Sequence, residues 1–275
     1  YGMQAPSPKF KLEKNVGWGT AQLWRNFGRP VHNWSLAESQ INDWLPLSDL
    51  RPGNWDYYAN FSSYYIPFPD FEAMGYNFEW YKELGFGHND PQAQLTLTGN
   101  MAELHWYLHA KLCWNPDLDW RKTIEEFCDD VYGAASKYMR EYIELCEHGK
   151  DRQAGIWVGG YVPETRTWLS AEDMVRIYKL FHDAERAVEK DEERRRMVVR
   201  ASTGPLMNCL VRYSEMMEPA KKMRVALMSR AELKEKVDRI YSDPYIRNFR
   251  GYDGGEGWAF NTKFPMEGNT NAYTL

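Results

Sequence analysis

Three acidic side chains stand where a sugar-cleaving pair could be drawn from. Asp56 lies in the alternating run Asn54-Trp55-Asp56-Tyr57-Tyr58-Ala59-Asn60-Phe61, Asp90 in the polar Asn89-Asp90 step before Pro91, and Glu103 at the head of an apolar-periodic segment. Glycoside hydrolysis usually needs two carboxyl groups about 5 to 9.5 Å apart, one kept protonated as acid and one ionised as nucleophile or base. Alternation places Asp56 with Tyr58 and Asn60 on one strand face, a polar set suited to sugar hydroxyls on an inward barrel face. It places Trp55, Tyr57, Ala59 and Phe61 on the other. His88, between Gly87 and Asn89, is expected where a strand gives way to its loop, so that its imidazole could bond a hydroxyl or move a proton. Each has a purely structural alternative: Asp56 bonding loop amides, Asp90 serving a turn, His88 packed at a barrel rim, and Glu103 closing a capping box with Asn100.

Aromatic residues are abundant, with 12 Trp, 18 Tyr and 12 Phe in 275 residues. Trp and Tyr offer flat apolar faces with a polar handle, which suits stacking on sugar rings. Trp44 and Trp55 fall on apolar faces by spacing, whereas Trp18 and Trp24 lie in loop-like sequence beside Arg25 and Arg29. Trp18 and Trp24 are therefore the stacking candidates, and Arg25 could clamp a uronic-acid carboxylate through its planar fork. His105 and His109, four apart on a predicted helix, share a face, but the segment between them lacks the Glu of zinc peptidases and no third ligand is evident; neither a metal nor a cofactor is expected. Cys113, Cys128, Cys146 and Cys209 form no CxxC pair, and three of them fall in apolar periodic segments that predict buried thiols.

The elements that must position these groups follow from breakers and periodicity. Residues 1 to about 32 are punctuated by Pro and Gly. A helix capped by Asn33 or Ser35, with Leu36, Ile41, Trp44 and Leu45 on one side, runs to Pro46. The strand at 54–61 follows, then a helix from Asp70 to Leu84, then a short strand end at Gly85-Phe86-Gly87-His88. Strand, helix, strand is a βαβ unit of a parallel sheet or barrel. From Asn100 onward the chain reads as helical: Met101 to Trp114, Trp120 to Tyr132, Ala134 to His148, a linker at 149–169, then Ser170 to Lys190 with Ser170 and Asp173 in capping-box spacing. Two more helices are expected, Asp191 to Met217 and Pro219 to Tyr241, and the tail at 242–275, with Tyr252, Trp258, Phe260 and Phe264, is expected to lie extended. Mixed charges between Glu185 and Arg200 read as a solvated helix face.

The charge is mildly acidic, 34 Lys+Arg against 39 Asp+Glu for a net −5, which gives no surface matched to nucleic acid. No apolar run approaches a membrane span. A hydrophobic fraction of 43% fits a chain that buries a core.

The order of the stretches Trp55-Asp56-Tyr57-Tyr58-Ala59-Asn60-Phe61, Pro67-Phe68-Pro69, Asn77 to Gly87, Glu103-Leu104 with Tyr107-Leu108, Lys111-Leu112-Cys113-Trp114-Asn115-Pro116-Asp117, Glu126-Phe127 and Tyr132-Gly133-Ala134-Ala135 resembles domain-of-unknown-function family 4838, over residues 20 to 215. This family is glycoside-hydrolase-like and related in architecture to α-glucuronidase-type proteins. The resemblance implies an α/β plus α fold: the late part of a (β/α)8 barrel followed by a helical C-terminal bundle. The expected divisions are a partial barrel segment at 1–98, helices packing on it at 99–149, a helical domain at 150–241 and the tail. A full barrel takes about 250 residues, so its first strands are expected outside this chain. A carbohydrate substrate and a periplasmic, surface-attached or secreted setting are implied as well. The leading expectation is the C-terminal portion of a glycoside-hydrolase-like protein that cleaves a polysaccharide or oligosaccharide by carboxylate acid/base catalysis; the alternative is a non-catalytic carbohydrate-binding or scaffold role. A helical bundle that docks a partner is a third. The hydrolytic expectation requires Asp56 and His88 to emerge side by side at the open end of the strands.

Overall fold

The computed structural model describes residues 4–61, 64, 66–93, 100–152, 155–161, 165 and 168–243. Three strands, β1 (Gly19–Thr20), β2 (Gly53–Tyr57) and β3 (His88–Gln92), pair in parallel in the order β1-β2-β3. Gly53 lies opposite Gly19 on one side and His88 on the other; Trp55 lies opposite Asp90, and Tyr57 opposite Gln92. Helices α1 (Ser35–Trp44) and α2 (Phe71–Glu83) make the two crossovers that parallel neighbours require. In α1, Ala37 and Ile41 are buried while Leu36 is exposed, which corrects the predicted inner side, and the cap position is Trp34 with no side-chain bond. Asp70 takes the cap position of α2 but makes no capping bond; Glu147 accepts from the Phe71 amide instead, at 2.9 Å.

Beyond the sheet come α3 (Ala102–Trp114), α4 (Trp120–Tyr132), α5 (Ser136–Gly149), α6 (Ala171–Ala187), α7 (Glu192–Val211), α8 (Tyr213–Met223) and α9 (Arg230–Ser242). Asp119 caps α4 by accepting from the Lys122 amide, and Gly133, at φ 51°, stops that helix in a region an L side chain resists. The predicted capping box of Ser170 and Asp173 opens α6. The predicted helix 191–217 is instead divided at Arg212. There the guanidinium leaves the helix line to donate to the Leu169 carbonyl (2.8 Å) and to pair with Glu215. Pro219 sits inside α8 rather than opening a helix, and Ser229 with Glu232 opens α9. One apolar core runs from Tyr58, Phe71, Met74 and Phe78 through the helices to Leu233 and Val237, so α2 and the bundle share a single buried volume. Among the described residues no helix is long and apolar enough to cross a membrane. Of the tail, residues 244–275, including Tyr252, Trp258, Phe260 and Phe264, lie outside the described residues.

The segment 155–161 does not stay with the helices. It turns back to the loops that follow β1 and β2: the Phe27 amide donates to Val158 (2.8 Å), and Asn26 donates to Ile156 (2.7 Å) and accepts from the Val158 amide (3.0 Å). Phe27, Tyr57, Ala59, Phe61, Phe68 and Val158 make a second, small core at the carboxyl end of the sheet.

Candidate functional site

The two faces of the sheet differ in chemistry. On the face toward the helices, Asp56 is buried and its carboxylate accepts from Arg25 (2.7 Å), from the Tyr57 amide (2.9 Å) and from the Tyr58 hydroxyl (3.1 Å). Arg25 also donates to the Arg29 carbonyl and lies over the Phe27 ring at 4.4 Å. Burial alone would lower the Arg25 pKa, but the facing carboxylate outweighs it and the net shift is upward. Burial, reinforced by the Asp56 charge, drives the Tyr58 and Tyr81 phenols well up, so both stay neutral. Asn60 is buried as well. The expectation that Asp56, Tyr58 and Asn60 face a barrel interior is therefore corrected. Asp56 and Tyr58 back onto α2 and α3, where Tyr81 and His109 lie, and Arg25 and Tyr58 donate to the strand's carboxylate there. Arg25, expected to clamp a uronate, is committed to Asp56.

The opposite face is open. Trp55 is 51% exposed, and the side chains of His88 and Asp90 are 63% and 64% exposed. Nε2 of His88 faces Asp90 across 3.6 Å, and the Trp55 indole donates to Gln92 Oε1 at 2.9 Å. The His88 ring lies over Gly53 so closely that a Cβ there would stand 2.1 Å from Nε2; only glycine admits this contact. His88 opens β3 instead of ending it, another correction: the break at Gly85-Phe86-Gly87 is a turn, with Gly85 at φ 77°, and the strand follows it. Asp56 and His88 thus stand on opposite faces of the sheet and are not brought together.

At the carboxyl end, where parallel β/α sheets place ligands, an aromatic rim rises from the second core. Trp24, 61% exposed, packs on Tyr161 (5.7 Å between centroids), Tyr161 on Phe61 (5.6 Å), and Phe61 on Tyr57 (5.8 Å). Trp157 is exposed nearby in sequence. Trp18, the other predicted stacker, instead packs on Trp44 (5.9 Å) and Phe86 (6.0 Å) at the start of β1, away from this rim. Sequence reasoning missed Trp55, Gln92 and Tyr161. Gly53, two residues before Trp55 and able to take a ring across its backbone, was a usable signal; Tyr161 had none, because it arrives from a distant segment.

The third acid is elsewhere. Glu103 forms an ion pair with buried Arg200 of α7, and Asn100 accepts from the Tyr142 hydroxyl, so the two do not make the predicted capping box. Met101, at φ 50°, takes the cap position of α3. Nor do His105 and His109 share a ligand. His105 contacts Asp70 at 2.7 Å and stacks on Phe71, whereas His109 contacts Asn89 at 3.2 Å with Cys113 at 3.7 Å. Among the described residues no group of three or more His, Cys, Asp or Glu is placed to hold a metal. Cys128, Cys146 and Cys209 are buried, as their spacing predicts, and Cys113 is exposed. Partial burial and then the Asp90 charge raise the Cys113 thiol pKa, which keeps it a thiol at neutral pH beside a neutral imidazole. Ellman's reagent should therefore titrate one thiol slowly in the native protein and four after unfolding; a second reactive thiol in the native protein would contradict the packing.

Residues 1–144 match the model of a domain of unknown function, DUF4838. The chain belongs to the DUF4838 family. The matched part carries the sheet, Trp24, the Arg25–Asp56 pair and α1 to α4, while Tyr161 lies beyond it. No curated protein and no solved structure matches this DUF4838 chain.

Proposed function

We propose that this chain supplies late strands of a (β/α) barrel in a carbohydrate-active protein, and that its open sheet face and aromatic rim bind sugar. The one-sided sheet carries the reading. Parallel sheets ordinarily have both faces covered, yet Trp55, His88 and Asp90 stand exposed opposite the face that α2 and α3 cover, as residues lining a barrel interior would. Trp55 offers a ring face, and Asp90, Gln92 and His88 offer acceptors and donors for hydroxyls. Of the three candidate acids only Asp90 stands on this face, which favours binding over cleavage for this chain by itself. The hydrolytic expectation rested on Asp56 beside His88, which stand on opposite faces, so cleavage would have to use Asp90 with another carboxyl about 5 to 9.5 Å from it contributed by another strand.

Affinity electrophoresis of the protein through gels containing arabinoxylan, mixed-linkage glucan, mannan, arabinan or polygalacturonate tests the binding reading. At least one polymer should retard it, and Trp55→Ala should weaken that retardation about tenfold, or ~1.4 kcal/mol. Equal retardation of a folded Trp55→Ala protein, or no retardation by any polymer, would refute it.

A further inference from the structure

Resting on that reading, we infer that the site selects uncharged sugars and rejects uronates and sulfate esters. Trp24 and Trp55 are exposed at the two ends of a ring stack whose middle members, Phe61 and Tyr57, are buried in the second core, Tyr57 lying two residues from Trp55 along the same strand face. A glycan laid across this side of the sheet meets the exposed rings of Trp24 and Trp55, with Asp90 and Gln92 beside Trp55. An anionic glycan needs a cation in that path, and an Arg fork is the usual one. The guanidinium best placed by sequence, that of Arg25 beside Trp24, is turned inward to the buried carboxylate of Asp56 on the other side of the sheet. Arg29, the next one, is paired with Asp151 at 2.5 Å. Arg51 donates to the carbonyls of Gly85 (3.1 Å) and Phe86 (2.8 Å), at the opposite end of β2 from the rim. Among the described residues on this face Asp90 is an exposed carboxylate, which repels a like charge laid against it.

The Arg25–Asp56 pair therefore has a positioning role: it anchors the loop after β1 and aims Trp24 outward, while withholding its own charge from the ligand. Two adjacent residues, Trp24 and Arg25, are divided between stacking and anchoring.

The test takes whichever neutral polymer retards the protein and compares it with two derivatives of equal substitution, one carboxymethylated and one hydroxyethylated. Carboxymethylation should weaken binding at least tenfold at low salt, and hydroxyethylation, which adds bulk without charge, should leave it within about twofold. Asp90→Asn should recover most of the carboxymethyl loss, and Trp24→Ala should weaken binding of the neutral parent about tenfold. The inference is overturned if the carboxymethylated polymer binds as well as its parent, if both derivatives fail equally, if Asp90→Asn recovers nothing, or if Trp24→Ala has no effect. Should no neutral polymer bind while polygalacturonate does, the charge preference is overturned and the sugar-binding reading stands; should nothing bind, the sugar-binding reading itself falls.

Discussion

Asp56→Ala should destabilise the protein by about 3–5 kcal/mol, the usual loss when one partner of a buried ion pair is removed. The carboxylate accepts three hydrogen bonds, and its removal strands the Arg25 guanidinium, the Tyr58 hydroxyl and the Tyr57 amide in a site without water access. Arg25 would keep the Arg29 carbonyl at 3.3 Å, which leaves the charge itself uncompensated, and its Nε already lacks an acceptor. The unfolding temperature should fall by roughly 6–20 °C for a chain of this size. Replacing both residues, as in Arg25→Met with Asp56→Leu, should recover more than half of the loss, since the desolvation of both charges disappears together. Urea melts of the native protein and the two variants decide the matter; a loss below about 1 kcal/mol for Asp56→Ala would mean that the pair is not sealed as described.

The second large effect concerns acid. Burial lowers the His109 pKa to about 4, against the raising influence of Asp56 and Asp90, so the ring is neutral in the fold and would be protonated in the unfolded chain at pH 5. The unfolded state then binds more protons, and stability is lost as pH falls from about 6.5 toward 4. Most of roughly 3 kcal/mol is at stake. Among the described residues Asn89, Tyr58, Phe78 and Cys113 contact the ring, and none of them is a cation. His105 acts in the other direction. Burial would lower its pKa, but Asp70 more than offsets this, so its contribution is complete below about pH 6.5 and fades as pH rises above that. His109→Phe, whose ring keeps the contacts with Tyr58 and Phe78, should therefore lose about 2–3 kcal/mol less than the native protein between pH 7.5 and pH 4.5 in urea melts. Parallel pH profiles for the two proteins would disprove the assignment.

Much of the helical part was legible in the residues themselves. Asp119, Gly133 and the Ser170–Asp173 box mark helix ends by local bonding, and local bonding does not depend on the rest of the fold. The order strand, helix, strand was legible for the same reason. The orientation of β2 was not, because alternation says which residues share a face and is silent on which face looks outward. Polar Asn54 and Asp56 would conventionally face solvent, yet Arg25, Tyr58 and Tyr81 meet them inside, and the open face is left to Trp55. The break at Arg212 was hidden likewise, since it depends on the Thr165 hydroxyl and the Leu169 carbonyl, more than forty residues away. At the head of α3 the expected Asn100 box lost to a tertiary bond from Tyr142.

The returning strip at 155–161 matters for how such chains should be cut. A fragment ending at residue 144, where the family match stops, would keep the strands yet leave Phe27, Phe61 and Phe68 without Val158 and Tyr161 over them. Greasy surface bared in that way invites self-association. The smallest autonomous piece of this architecture accordingly extends through the strip, and expression designs that follow the homology limit would sever it.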